Sequence, residues 1–331
     1  VSDLEILQRF RDDVPPADPV ALRRGRDRLA AEIAPRTAIQ PRWYARPRWY
    51  VAAAAIIVAV AFAGLSTPRP ALIGPDAGGD TEAARVLQQA ALTAMLLTPA
   101  SVRPDQFVFV EQVRQDSSDV PSRTGPDVWS KLPEQLYQWW LSADGRSNGL
   151  IRSYYTATNT LGDNLVEAGC AKGHPNPVPS NGVTLMDPCT PTPAYRGDLP
   201  TSVDAMLAYL YRPNPHNSDP LDQQAFTTVG QLVVQSYIPP AALSALFSAA
   251  ARIPGVTVEH DIVDAAGRHG IAVGRTFKGI QDQLIFDSKT YAFLGERSVA
   301  VENVGGLPTG WVLSYTAMLR VAIVDRPGQL P

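Results

Sequence analysis

From Trp49 to Pro68 the chain runs for 20 residues without a single charge, around the core Val51–Leu65, VAAAAIIVAVAFAGL. At about 1.5 Å per residue, a helix of that length crosses a hydrocarbon layer of roughly 30 Å. Val51, Ile56, Ile57, Val58, Val60, Phe62 and Leu65 together favour insertion by about 3 kcal/mol, and one central Arg would cost about that much. The run predicts a transmembrane helix over residues 49–67. A buried core helix is the alternative, but the run has no polar face and arginines crowd one end. A cleaved signal peptide is another, since Ala61-Phe62-Ala63 resembles a cleavage site. The basic lead of 48 residues is far longer than an ordinary n-region. No cysteine closely follows the run, which argues against a lipoprotein anchor.

The run also divides the charge. Residues 1–48 hold ten Arg, no Lys and seven acids, a net of +3, whereas residues 49–331 sum to -6. Arg36, Arg42, Arg46 and Arg48 precede the run and only Arg69 follows closely. The positive-inside rule therefore puts the N-terminus in the cytoplasm and the long C-terminal part outside. The localisation expected is the cell membrane, single-pass. Trp43, Tyr44, Trp49 and Tyr50 suit the inner interface.

The tail of residues 1–48 is too short for a core of its own, yet it carries two helix signals. Ser2-Asp3-Leu4-Glu5 is a capping box followed by Leu4, Leu7 and Phe10 at helical spacing. Asp18-Pro19 starts a second segment striped by Leu22, Leu29 and Ile33. Apolar stripes without a core point to a cytoplasmic partner gripping Leu4, Leu7, Phe10, Leu22 and Leu29. A basic tail lying on anionic lipid is the other reading.

Residues 68–80 read as a Pro/Gly linker, residues 81–325 as one extracytoplasmic domain and 326–331 as a short tail. Helices are expected at Asp80–Leu97, Val203–Tyr211, Leu221–Ser236 and Ala241–Ile253. Strands are expected at Gln106–Gln112, Gln135–Ser142 and Gly149–Thr158. A meander follows: Val256–Val263, Gly270–Phe277, Asp282–Phe286, Tyr291–Val301 and Trp311–Val324. That order is α+β, helices packed on a curved antiparallel sheet. Residues 159–200 hold seven of the 30 prolines, both cysteines and little periodicity. Outside the cell, Cys170 and Cys189 are expected to form a disulfide across that excursion.

Chemistry-bearing motifs are few. The net charge of -3 gives no reason to expect nucleic-acid binding. Gly145-Arg146-Ser147-Asn148-Gly149 matches G-x-S-x-G, but a strand-like segment follows where a nucleophile elbow needs a helix. Arg196-Gly197-Asp198 is a loop tripeptide of the adhesive type, and such tripeptides occur by chance. His174, His216, His260 and His269 form no i, i+4 pair, and C-x-x-C is absent, so no metal site is expected. No cofactor motif occurs. Trp129, Trp139, Trp140, Tyr154 and Tyr155 are either core or the lining of an apolar groove.

The segments Arg11–Pro19, Ala143–Arg152, Ala205–Leu210, Ala251–Val256 and Leu284–Asp287 together resemble a family of single-pass membrane proteins from high-GC Gram-positive bacteria. The resemblance implies no established activity; many members are encoded beside a sigma factor of the extracytoplasmic-function type. The element order of the outer domain is similar to lipoprotein-carrier domains of the LolA and RseB kind, in which a curved sheet wraps helices. Anti-sigma factors often carry a zinc-associated H-x-x-x-C-x-x-C helix, and this tail has neither His nor Cys. The expected function is a non-enzymatic envelope sensor or regulator, its outer domain binding a lipid or protein ligand and its tail a partner such as a sigma factor. The alternative is a membrane-tethered lipid or lipoprotein carrier without regulatory role.

Overall fold

A computed structural model describes residues 81–120, 128–179, 182 and 185–331. The tail, the uncharged run and the linker lie outside these residues. Among the described residues no helix is long and apolar enough to cross a membrane.

Helix α1 (Glu82–Met95) starts where Thr81 supplies a cap: its Oγ1 accepts the Ala84 N–H at 3.2 Å. Ala83, Ala90, Ala91 and Ala94 are buried beside Val86 and Leu87. Their small side chains let α1 pack closely on the alanine-rich face of α4 (Pro240–Ala250), whose Ala242, Ala245 and Ala249 are also buried. Pro239-Pro240 starts α4, and Pro254-Gly255 follows it, with Gly255 at φ +77°. Between them in sequence lie α2 (Val203–Leu210) and α3 (Leu221–Gln235).

The strands are β1 (Phe107–Val120), β2 (Val128–Lys131), β3 (Gln135–Ser142), β4 (Gly149–Tyr155), β5 (Thr160–Glu167), β8 (Val256–Val263), β9 (His269–Phe277), β10 (Ile280–Asp287), β11 (Phe293–Ala300) and β12 (Val312–Val324). They form one antiparallel sheet in the order β5-β4-β3-β1-β12-β11-β10-β9-β8, with β2 paired to the far end of β1. The first and last strands in sequence thus meet at its middle, closing two meanders into a single sheet. Register shifts at Glu111/Gln112, Ile285/Phe286 and Glu259/Ile262 bend and twist it. A short hairpin, β6 (Cys170–Ala171) with β7 (His174–Pro175), stands apart.

Alternation sorts the side chains. Val108, Val110, Ile271, Val273, Leu284, Phe286 and Met318 face the helices and join their core. Phe247 of α4 meets Phe286 edge-on, ring centroids 5.3 Å apart. Phe107, Phe109, Trp140 and Val324 form a smaller cluster on the other face, and Ile262, Ala272, Ile285 and Leu294 another. The C-terminal residues lie over the first of these: the Trp140 indole N–H donates to the Gln329 carbonyl at 2.6 Å.

The expected α+β class and antiparallel meander stand. Two corrections concern extent. Residues 159–200 show little periodicity in the sequence and no element is assigned there, but they begin with β5, which needs little apolar character as an edge strand. The first strand was expected to end at Gln112, but β1 continues to Val120 because β12 supplies a partner residue by residue as far as Asp116 and β2 beyond.

Candidate functional site

Along the helix-facing side, β1 carries Val108, Val110, Gln112 and Arg114 in alternation, so the apolar floor turns polar midway. Gln112 lies beside Tyr137 of β3 and Met318 of β12. Arg114 lies beside Gln135 and Thr316, and Thr316 in turn beside Glu296 of β11. Glu296, Thr316 and Arg114 therefore share one row across three strands, with Gln112 and Trp139 in the next two rows.

Gln112 is fully buried, and neither its amide oxygen nor its amide nitrogen has a partner; the indole N–H of Trp139 is buried without one as well. Buried polar groups of this kind cost about 1–3 kcal/mol each when unpaired. Beside them, burial pushes the Glu296 carboxyl up to about 7; Arg114 opposes the rise, and Asp282 and Asp116 add to it. Arg114 holds Asp116 at 2.8 Å, and both side chains are largely buried. Gln223 of α3 closes the seam, donating to Asp282 at 3.0 Å and accepting from Arg275 at 2.6 Å. Unpaired amide and indole groups thus lie on the helix-facing side of the sheet, one and two rows from the row that holds Glu296 and Arg114.

The five aromatic residues, read from the sequence as either core or the lining of a groove, do not share one surface. Trp139 and Trp140 are consecutive on β3, so they point to opposite faces: Trp139 packs against the helix-side core and Trp140 belongs to the opposite cluster. Tyr155 lies beside Gln135 on the helix side and Tyr154 faces the other way. Trp129, on β2, donates its indole N–H to the Gly305 carbonyl at 3.0 Å. On the helix side Tyr155 lies in the row of Arg114, across Gln135, and Trp139 lies two rows away. Leu4, Leu7, Phe10, Leu22 and Leu29 lie outside the described residues.

Cys170 and Cys189 form the expected disulfide, their Cα atoms 5.9 Å apart. It pins the Pro-rich excursion to the turn after β3, where the Cys170 N–H donates to the Gly145 carbonyl. Gly145, at φ +75°, lies so close to the Thr192 backbone that a Cβ would collide with it. The G-x-S-x-G stretch is this turn, and β4, not a helix, follows it. In Arg196-Gly197-Asp198 the guanidinium and carboxylate bind each other through two hydrogen bonds of 2.8 Å. His174, His260 and His269 each contact a carboxylate, of Asp187, Glu82 and Asp261 in turn. Among the described residues no cluster of three or more His, Cys, Asp or Glu could hold a metal ion.

Gln112 and Glu296 escaped the sequence reading. A signal existed for Gln112: in FVFVEQV it occupies the same alternating phase as Val108 and Val110, which places an amide on a core face.

The architecture defines an α+β domain, a bent antiparallel sheet with helices on one face. Among solved structures the chain is similar to MucB from the Pseudomonas aeruginosa MucA/MucB complex, at 11% identity and TM-score 0.29, over 76% of this chain and 59% of that one. It is similar to MucB solved alone at 12% and 0.27, over 76% and 61%. A DUF1329 family protein from Desulfovibrio piger is similar at 9% and 0.21, over 74% and 92%. The chain thus spans about three-fifths of the length of the MucB chains it matches. Scores of this size fall short of a shared fold, so the architecture rests on this chain's own strand pairing. No family model matches the sequence, and no curated protein is similar to it.

Proposed function

We propose that this chain is a membrane-anchored envelope sensor or regulator that works by binding rather than catalysis. Residues 81–325 bind a ligand outside the membrane, and residues 1–48 hold or release a cytoplasmic partner, a sigma factor being the foremost candidate. One observation carries the reading of the outer domain. On its helix-facing side the sheet presents Gln112 and Trp139 with buried, unpaired hydrogen-bonding groups. Folded domains leave few such groups unanswered, and a ligand is one way to answer them. The uncharged run, flanked by arginines on one side only, supports the anchor and its orientation.

Deleting residues 1–34 from the chain in its own cells tests the regulatory half. A regulator loses its effect on transcription while the outer domain stays folded at the membrane. An unchanged transcript profile leaves the outer domain as a binding or scaffold module without that role. Native mass spectrometry of the purified full chain tests the lipid-carrier alternative, which requires a retained lipid.

A further inference from the structure

On the sheet face opposite the helices, the hairpin between β8 and β9 borders a cleft of about 220 Å³. Val263, Ala265, Ile285 and Val312 give it apolar surface, and Asp264, Arg297 and Tyr315 are its polar members. Arg268 holds the hairpin tip in place, donating to the carbonyls of Leu294 and Met318. Val263 stays 48% exposed, whereas Ile285 is fully buried.

The hydrogen bonds already made in this cleft leave one donor over. The Asp264 carboxylate accepts from the Arg268 guanidinium and from the backbone N–H groups of Ala266 and Arg268. The Tyr315 hydroxyl donates to Glu134 at 2.7 Å, so the phenol offers the cleft its ring. Arg297 donates from Nε to Gln283 and from Nη2 to Glu259, the latter at 3.1 Å. Its Nη1 has no partner among the described residues, and the side chain is only 16% exposed.

That remainder selects a ligand class. A plain hydrocarbon would bury the Nη1 donors without an acceptor. A protonated amine would meet the guanidinium, and the only carboxylate in the lining, Asp264, is already engaged. An anion would join Asp264, Glu259 and Glu134, three carboxylates set against Arg297 and Arg268 alone. A neutral carbonyl accepts from Nη1 and adds no charge. An apolar cavity of about 150 Å³ holds benzene, so this cleft suits about ten non-hydrogen atoms, too few for a membrane lipid. We propose that the cleft binds a small neutral ester or amide with a short aliphatic chain, its carbonyl on Arg297 and its chain on Val263, Ile285 and Val312. The site lies on the face opposite Gln112 and Trp139 and stands independently of the reading that those groups bind a ligand.

Titration calorimetry of the purified full chain tests the proposal, with octanamide as probe and octanoate and octylamine as charged counterparts of the same chain length. The expected result is saturable binding of octanamide, tighter than either counterpart by about tenfold or more. Arg297→Met removes the donor and should weaken octanamide binding by about tenfold or more. Because that change also takes a donor from Gln283 and Glu259, Ala265→Phe serves as a second variant. It fills the cleft from a turn, touches none of these hydrogen bonds, and should abolish saturable binding with the thermal midpoint unchanged. Both variants, measured in the same detergent, separate binding from partition into micelles. No saturable binding of octanamide, a counterpart that binds as tightly, or binding that survives either substitution at full strength would overturn the proposal. Loss of the regulatory effect on deleting residues 1–34 is read separately, so either proposal can fall without the other.

Discussion

Glu296 of β11 lies directly under Gly230 of α3, close enough that a single methyl group on the glycine would press on the carboxylate. A glycine inside a helix costs about 1 kcal/mol relative to alanine. Here its absent side chain is what lets the helix settle over a carboxyl that burial has pushed up to about 7. The seam between helix layer and sheet is therefore one part of the domain whose stability should respond to protons near neutrality.

The sign follows from the raised value. The folded state holds its proton on Glu296 where the unfolded chain has already lost it. The stabilisation is full below about pH 4.5 and is lost as pH rises through about 7. Glu296→Gln should flatten this slope, making the variant more stable than the parent by about 1–3 kcal/mol at pH 8 and equal to it near pH 4. Urea unfolding across that range checks it. Parallel pH profiles for the two proteins would contradict the assignment.

Asp264 is fully buried at the β8–β9 hairpin and pairs with Arg268, whose guanidinium also donates to the carbonyls of Leu294 and Met318 at 2.9 and 3.0 Å. One arginine thus ties the hairpin tip to β11 and β12. Arg268→Met should cost about 2–3 kcal/mol, less than a fully abandoned buried charge, because Asp264 keeps the backbone N–H groups of Ala266 and Arg268. Thermal unfolding measures the loss, and Asp264→Asn in the Arg268→Met background should recover part of it.

Trp140 is fully buried, and its indole N–H rests on the Gln329 carbonyl. Ending the chain at Arg326 removes that acceptor and the cover over Trp140. The expected outcome is a loss of about 1–3 kcal/mol and a red shift in tryptophan emission. An unshifted spectrum would mean that residues 327–331 do not cover the ring.

Removing the disulfide with Cys170→Ser and Cys189→Ser together should cost about 3 kcal/mol, from the loop-closure entropy of a 19-residue separation. The damage should stay local. Hydrogen exchange should quicken in residues 169–195 and remain slow in β9 and β10. Uniform acceleration across the sheet would show that the bridge supports more than the excursion.

How much of this was legible depended on whether a segment carries its own signal. Helix α1 announced itself through the alternation of Ala83, Val86, Leu87, Ala90 and Ala94, and α4 through its flanking prolines. The meander from Val256 onward was readable because its strands are rich in β-branched and aromatic residues and its turns hold Gly or Asp. By contrast, β5 contains Gly162, Asp163 and Asn164, poor strand formers that an edge position tolerates. The far half of β1 is polar, and its strand character comes from β12. The polar floor was legible only in part. Trp139 was flagged for its ring, whereas Gln112 and Glu296 acquire meaning from neighbours distant in sequence, on strands that meet only in the folded sheet. Of the two readings of the aromatic residues, a groove shared by Trp139 and Trp140 was already at odds with the sequence, since consecutive residues of a strand point to opposite faces.

The proposed anchoring rests on an insertion balance of only about 3 kcal/mol. Val58→Arg places a charge at the centre of the run and should cancel it, moving the protein from the membrane pellet to the soluble fraction. A variant that still pellets after a high-salt and carbonate wash would show that something other than Trp49–Pro68 holds it.

The account depends most on which side of the membrane the folded body occupies. Protease added to intact cells, followed by immunoblotting with one antibody against residues 1–48 and another against residues 81–325, measures this directly. The account predicts that the outer epitope is lost while the inner one survives on a small membrane-bound fragment. Survival of both epitopes in cells whose known surface proteins are digested, or recovery of the chain as a soluble cytosolic species, would contradict it.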